Sequence, residues 1–388
     1  MPYFNPKPAI KESDFLLACQ LARPRSTIMQ MARLILADGT TYEGKPFGAS
    51  SSGAGEVVFN TGMVGYPESF TDPSYEGQIL VLTYPLVGNY GVPAVTRDKN
   101  GIFKHFESDR IHIRGVIVSE YSENYSHWQA KKSLSAWLAE NNIPGITGID
   151  TRALTQKLRE HGVLLGQITQ DRKKPSKKIA DPNVENLVDI VSIKKPKIYS
   201  AISGGKKRIV IFDCGMKNNI LRSFVNRNVN VIRVPWNYNI WDGKYEFDGV
   251  FISNGPGDPA ILKEHHALLK RCFDKKIPTF GICLGNQTMA IAAGAKTFKL
   301  KYGHRSQNQP CTDVTTGRCY LTSQNHGYAI APNTLPKDWS VWFENQNDQT
   351  VEGIRHKRLP FFSVQFHPEA MPGPTDTGFL FDQFLSLI

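Results

Sequence analysis

A chain of 388 residues, 40% hydrophobic and 21% charged, is long enough for two or three domains that each bury a core. It has no run of about 18 uncharged apolar residues, so no transmembrane helix is indicated, and its six cysteines lack paired C-x-x-C spacing, which argues for reduced thiols and against a structural zinc. The formal charge of +11 suggests nucleic acid, but the main basic run carries a single aromatic residue, Tyr199, too few for base stacking, so neither a nucleic-acid nor a membrane partner is expected.

The first thirty residues fit neither a secretory signal nor a transit peptide. Phe15 to Ala18 is too short for a signal core, and Glu12 with Asp14 breaks the acid-poor pattern of a targeting helix. Residues 1–30 are therefore expected to be a disordered extension, with the fold opening near Met31 as a hairpin, Arg33 to Tyr42, around Asp38-Gly39. Strands are predicted at Val57 to Phe59, Gln78 to Thr83 and Arg114 to Ser119, and helices at Ala130 to Glu140 and Thr151 to Glu160. The stretch 31–171 thus reads as a mixed domain with a β emphasis. From Arg172 to Arg208 there are eleven basic residues against three acids. With Pro175, Pro182 and Pro196, this run reads as a solvated linker over 172–206, available to an acidic partner surface.

Beyond the linker, over 207–388, strand and helix signals alternate. Ile209 to Phe212, Val231 to Val234 and Val250 to Ser253 are predicted strands, and Asn218 to Val225 and Ala260 to Phe273 are predicted helices. Such alternation implies an α/β fold with a parallel sheet covered on both faces. His265 and His266 have no metal-ligand company and read as helix-face residues.

The apolar run Ile277 to Phe280 reads as a buried strand leading into Gly281-Ile282-Cys283-Leu284-Gly285. The helix predicted over Leu284 to Ala293 then places Cys283 on a sharp strand-to-helix turn. This is the G-x-nucleophile-x-G elbow with sulfur as the nucleophile; its flanking glycines let a strained turn close, and the helix N-terminus favours a thiolate. Phe361 to Phe366 reads as another strand, leading into His367-Pro368-Glu369. Residues i and i+2 of an extended chain share a face, so Glu369 can orient His367 and His367 can take the thiol proton. Asn254-Gly255-Pro256-Gly257-Asp258-Pro259 on its own is only a turn. Beside the elbow it becomes an oxyanion loop, with the Leu284 N–H as second donor.

Ser-Asn-Gly-Pro-Gly-Asp-Pro, Gly-Ile-Cys-Leu-Gly, Gln-Asn-His-Gly-Tyr and Gln-Phe-His-Pro-Glu, in this order, resemble the class I (triad) glutamine amidotransferases, which have a flavodoxin-like α/β fold. Upstream, Gly55 to Gly62, Thr71-Asp72-Pro73-Ser74-Tyr75, Leu82-Thr83-Tyr84-Pro85 and Gly148-Ile149-Asp150-Thr151-Arg152 resemble the N-terminal domain of the small, glutaminase component of carbamoyl-phosphate synthetase. The resemblance runs from about Met31 to Ile388 and is closer to the pyrimidine-pathway type than to the urea-cycle type. It implies Cys283 as nucleophile, His367 as base and Glu369 as its orienter. It further implies that Ser74, Gly255, Gly257, Leu284, Gln287, Asn325, Gly327 and Tyr328 line a glutamine pocket, with Ser74 reaching it from the other domain.

One position departs from the family pattern: Asn286 stands where the family usually has histidine, and asparagine cannot become cationic near a thiolate. The implied reaction is attack of the Cys283 thiolate on the glutamine side-chain amide, release of ammonia, and hydrolysis of the γ-glutamyl thioester to glutamate. The oxyanion is assigned to the N–H groups of Gly257 and Leu284. No G-x-x-x-x-G-K-[ST] loop is present. The resemblance implies a synthetase (large) component, separate or fused, on which ATP and Mg are expected, and no cofactor or metal is expected on this chain. A cytoplasmic location follows. Two rival readings are a non-catalytic docking or regulatory subunit, suggested by Asn286, and a cysteine hydrolase of peptides.

Overall fold

The computed structural model describes residues 31–170 and 179–388. The extension expected at 1–30 and the opening of the basic run, 171–178, lie outside the described residues.

The N-terminal strands close into a barrel. β1 (Ala32–Leu36), β2 (Thr41–Gly48), β3 (Gly53–Asn60), β4 (Gln78–Leu82), β5 (Gly115–Ile117), β6 (Pro144–Thr147) and β7 (Leu164–Gln170) pair in the order β1-β7-β3-β4-β5-β6-β2. The opening hairpin forms as the sequence predicts, with Gly39 at φ 88° and the Thr40 N–H donating to Asp38 Oδ1 at 3.0 Å. Alternate residues feed two cores. Val57, Ile79, Val81 and Ile117 join Leu154 and Leu158 of α2 (Thr151–His161), whereas Val58, Leu80 and Val116 join Leu134 and Trp137 of α1 (Leu134–Glu140).

The helix predicted over Ala130 to Glu140 is shorter than expected. Ala130–Lys132 is a strand paired with Val92–Pro93, and α1 starts only after Ser133, whose Oγ accepts from the Ala136 N–H at 3.2 Å. A good N-cap residue inside an otherwise helical run set that boundary.

The second domain is a ten-stranded mixed sheet. In chain order its strands are β8 (Lys197–Tyr199), β9 (Arg208–Asp213), β10 (Asn230–Pro235), β11 (Gly249–Ile252), β12 (Thr279–Ile282), β13 (Thr297–Asp313), β14 (Cys319–Ile330), β15 (Trp339–Asn345), β16 (Val351–His356) and β17 (Phe361–Val364). Its parallel centre runs β10-β9-β11-β12-β17, the 2-1-3-4-5 order of a flavodoxin-like fold. On one side β16, β14, β13 and β15 extend it antiparallel, and β8 closes the other edge.

Ile209 and Ile211 face α3 (Asn218–Asn226) and α6 (Phe379–Leu385), while Val210 and Phe212 face α4 (Lys263–Asp274) and α5 (Leu284–Ala293). Both faces are thereby covered, as a parallel sheet requires. Within the basic run, Asn183 donates to Glu56 of the barrel at 3.2 Å, whereas Leu187–Val191 is helical with Val188 in the second domain's core, and β8 pairs antiparallel with β10 at the sheet edge.

His265 lies on the inward face of α4. It is fully buried, packs edge-on against Phe212 at 5.2 Å and shares its Nδ1 with the Trp236 carbonyl at 2.7 Å. Burial pushes its pKa down to about 4, which keeps the ring neutral.

Candidate active site

The nucleophile turn forms where β12 meets α5. Cys283 adopts φ 56°, ψ −105°, a backbone conformation that costs a non-glycine residue energy and that its surroundings must enforce. They do so by close packing: a Cβ on Gly285 would sit 2.5 Å from the Ile252 carbonyl oxygen, and one on Gly281 would sit 2.7 Å from the Gly285 backbone. The Cys283 N–H donates to the Val364 carbonyl at 2.8 Å, which ties the elbow to the end of β17.

β17 ends at Val364, earlier than the strand predicted to Phe366, and the next residues leave the sheet to deliver His367. Nδ1 of His367 lies 2.6 Å from Glu369 Oε1, with both side chains buried. Burial alone would lower the pKa of this imidazole. The Glu369 charge and the neighbouring Cys283 thiol outweigh that effect and raise it to about 10. The Glu369 carboxyl is also penalised by burial, yet Lys217 and His367 hold it down to about 2. Nε2 of His367 is buried and keeps no hydrogen-bond partner among the described residues, so it is free to exchange a proton with a reacting group.

Lys217 is a member of this constellation that sequence reasoning missed. Its Nζ lies 3.2 Å from Glu369 Oε1 and donates to the Ala370 carbonyl, entirely within the core. Its side chain carries the charge that offsets Glu369.

Cys283 opens onto a cleft at the domain junction. Ser74 reaches it from the N-terminal domain, Gly255 and Gly257 from the loop after β11, Gln287 from α5, and Asn325, Gly327 and Tyr328 from β14. Leu284 lies just behind, as the first residue of α5. The junction is stitched by side chains: Asn254 Nδ2 donates to Ser74 Oγ at 2.9 Å, and Asn325 Nδ2 donates to Asp72 Oδ2 at 3.0 Å. Gln287 Nε2 donates to the Tyr328 carbonyl at 2.8 Å. Three charged side chains that the sequence did not single out, Glu56, Lys299 and Arg305, also line the cleft, with Lys299 Nζ 2.7 Å from Glu56 Oε1.

Asn286 does not join the catalytic groups. Its Nδ2 donates to Gln365 Oε1 at 3.1 Å and its Oδ1 accepts from Ser363 Oγ at 2.8 Å, so its amide links α5 to β17 in the core.

A strained cysteine at a strand-to-helix elbow, with a buried His-Glu pair one strand away, defines the class: a triad glutamine amidotransferase. Residues 210–387 match the family Glutamine amidotransferase class-I, and residues 34–168 match Carbamoyl-phosphate synthase small chain, CPSase domain. The Carbamoyl phosphate synthase arginine-specific small chain of Saccharomyces cerevisiae is 50% identical over 370 residues, covering 94% of this chain and 90% of its own length. Its counterpart in Aspergillus niger is 47% identical, covering 100% and 85%. Multifunctional protein CAD of Squalus acanthias is 53% identical over 92% of this chain, which spans only 16% of that longer protein. The chain belongs to the carbamoyl phosphate synthase small-chain family. No helix among the described residues is long and apolar enough to cross a membrane.

Proposed function

We propose that this chain is the glutaminase component of a glutamine-hydrolysing carbamoyl-phosphate synthetase. With His367 holding the shared proton, Cys283 attacks the side-chain amide carbon of L-glutamine as the thiolate. N–H groups of Gly257 and Leu284 hold the oxyanion, and His367 returns the proton to the departing ammonia. Water, deprotonated by His367, then opens the γ-glutamyl thioester to glutamate and restores the thiol. Glu369, itself held by Lys217, keeps the imidazole in the orientation that both steps need. Glu56, Lys299 and Arg305 suit the zwitterionic head of an amino acid.

The observation that carries this reading is the strained Cys283 elbow beside the buried His367–Glu369 pair. Ammonia passes to a synthetase component that binds ATP and Mg and makes carbamoyl phosphate from bicarbonate. Relatives named as separate small chains and as one stretch of a multifunctional protein support such a partner in either arrangement. The small-chain relatives are named arginine-specific, and the chain works in the cytoplasm. The docking-subunit reading rested on Asn286, whose amide is occupied in the core between α5 and β17.

Glutamate release from glutamine, measured with and without the synthetase partner, is the test. Cys283→Ser is expected to lower it by roughly a thousandfold or more while the fold is retained. Undiminished turnover in that variant, or none in the wild type under either condition, would overturn the reading.

A further inference from the structure

Behind the cleft, β13, β14 and β16 bring together His304, His326 and Glu352, all buried, with their ligand atoms within 4.8 Å of one another. Nothing in the chemistry above uses them as a group. The outer nitrogen of each imidazole faces an acceptor: His304 Nε2 lies 2.8 Å from Asp348 Oδ2, and His326 Nδ1 lies 2.9 Å from the Tyr328 carbonyl. With the ring protons on these outer nitrogens, the arrangement that usually orients metal-binding histidines, the Gln324 oxygen opposite them faces two lone pairs that only a cation or an inner N–H reconciles. The inner nitrogens then present lone pairs to a common point. Both lie 3.0 Å from Gln324 Oε1, and His304 Nδ1 lies 3.4 Å from Glu352 Oε1. The second carboxylate oxygen of Glu352 is buried without a hydrogen-bond partner among the described residues. Two imidazoles, an amide oxygen and a carboxylate that also accepts from Asn345 Nδ2 at 3.1 Å therefore converge in the interior, where a positive charge, on a bound cation or on His304, offsets Glu352.

The distances fit a cation. Ligands about 2.0–2.1 Å from a tetrahedral zinc ion lie about 3.3 Å apart, and the separations of 3.0, 3.0 and 3.4 Å approximate edges of that tetrahedron. We propose that His304 Nδ1, His326 Nε2, Gln324 Oε1 and the Glu352 carboxylate form a site for a divalent transition metal of the zinc class. Glu352 and the outer Asp348 balance its two charges. The ion clamps the β13–β14 hairpin from which Asn325, Gly327 and Tyr328 line the cleft. The absence of C-x-x-C spacing could not foretell such a site, because its ligands come from three strands.

The test uses the full chain stripped with a chelator and titrated with Co²⁺ and Zn²⁺. A single equivalent of Co²⁺ is expected to give the visible absorption of a tetrahedral nitrogen–oxygen site, without a thiolate charge-transfer band. Zn²⁺ is expected to displace it and raise the melting temperature. Glu352→Gln, which keeps the side-chain shape, and His304→Ala, as a second variant, are each expected to weaken uptake by more than about tenfold. The proposal is overturned by the absence of stoichiometric uptake, which would mean that a proton on His304 or a rotated Gln324 amide satisfies the cluster. Equal uptake by wild type and both variants, or uptake lost in Cys283→Ser, would overturn it too. These readouts do not depend on glutaminase activity, so failure here leaves the proposed function standing.

Discussion

Lys217 sets the electrostatics of the site although nothing around it in the chain announces this. In Gly215-Met216-Lys217-Asn218-Asn219 it reads as an ordinary surface cation, and its charge is met by Glu369 and by the Ala370 carbonyl, 153 residues downstream. Cys283, His367 and Glu369, by contrast, were legible because local geometry dictates their neighbours: a glycine-flanked turn in one case, an i, i+2 pair in the other. The Glu369 pKa gives a signed prediction. Held at about 2 against an ordinary 4.5, the carboxylate contributes stability that is fully present above pH 4.5 and is lost as pH falls toward 2. Urea unfolding at stepped pH should therefore show the wild type losing stability across that window, while Glu369→Gln starts lower and falls less. Parallel curves for the two proteins would show that the carboxylate is not held in this way.

Among the elements, α5 and the parallel strands formed close to their predicted bounds, because apolar runs and Ala-rich periodicity decide them locally. The closed barrel was not legible. Its strands are short and glycine-interrupted, and closure depends on β1 pairing with β7 across the whole domain. At the elbow, the fit between α5 and β11 leaves no room at Gly285. Gly285→Ala should force the helix off the strand and destabilise the protein by about 1–3 kcal/mol. Its glutaminase loss should exceed what unfolding explains, because the Cys283 backbone moves with the helix. Denaturant melts paired with steady-state rates check this, and a variant with wild-type stability and rate would refute the packing argument.

At the scale of the molecule, the two domains are joined through polar groups that neither satisfies alone. The start of α3 has no side-chain cap of its own. Instead, the Asn218 and Asn219 N–H groups donate to the Glu107 carbonyl and carboxylate of the other domain at 2.8 and 3.0 Å, and Arg222 pairs with the same carboxylate. A negative group at a helix N-terminus is favoured, and this one is fully buried. Glu107→Gln strips Arg222 of its counter-charge and should cost about 3–5 kcal/mol. Calorimetry is expected to show one transition for the wild type and two for that variant, and one unshifted transition in the variant would argue against the coupling.

Lys217, which steadies Glu369, immediately precedes this borrowed cap. The barrel therefore does more than dock or shape the substrate cleft: it finishes the helix from which the chemistry of its neighbour is organised. Without the barrel, that helix would lose the acceptors of its first two N–H groups, and the lysine at its threshold would lose the frame that aims it at Glu369.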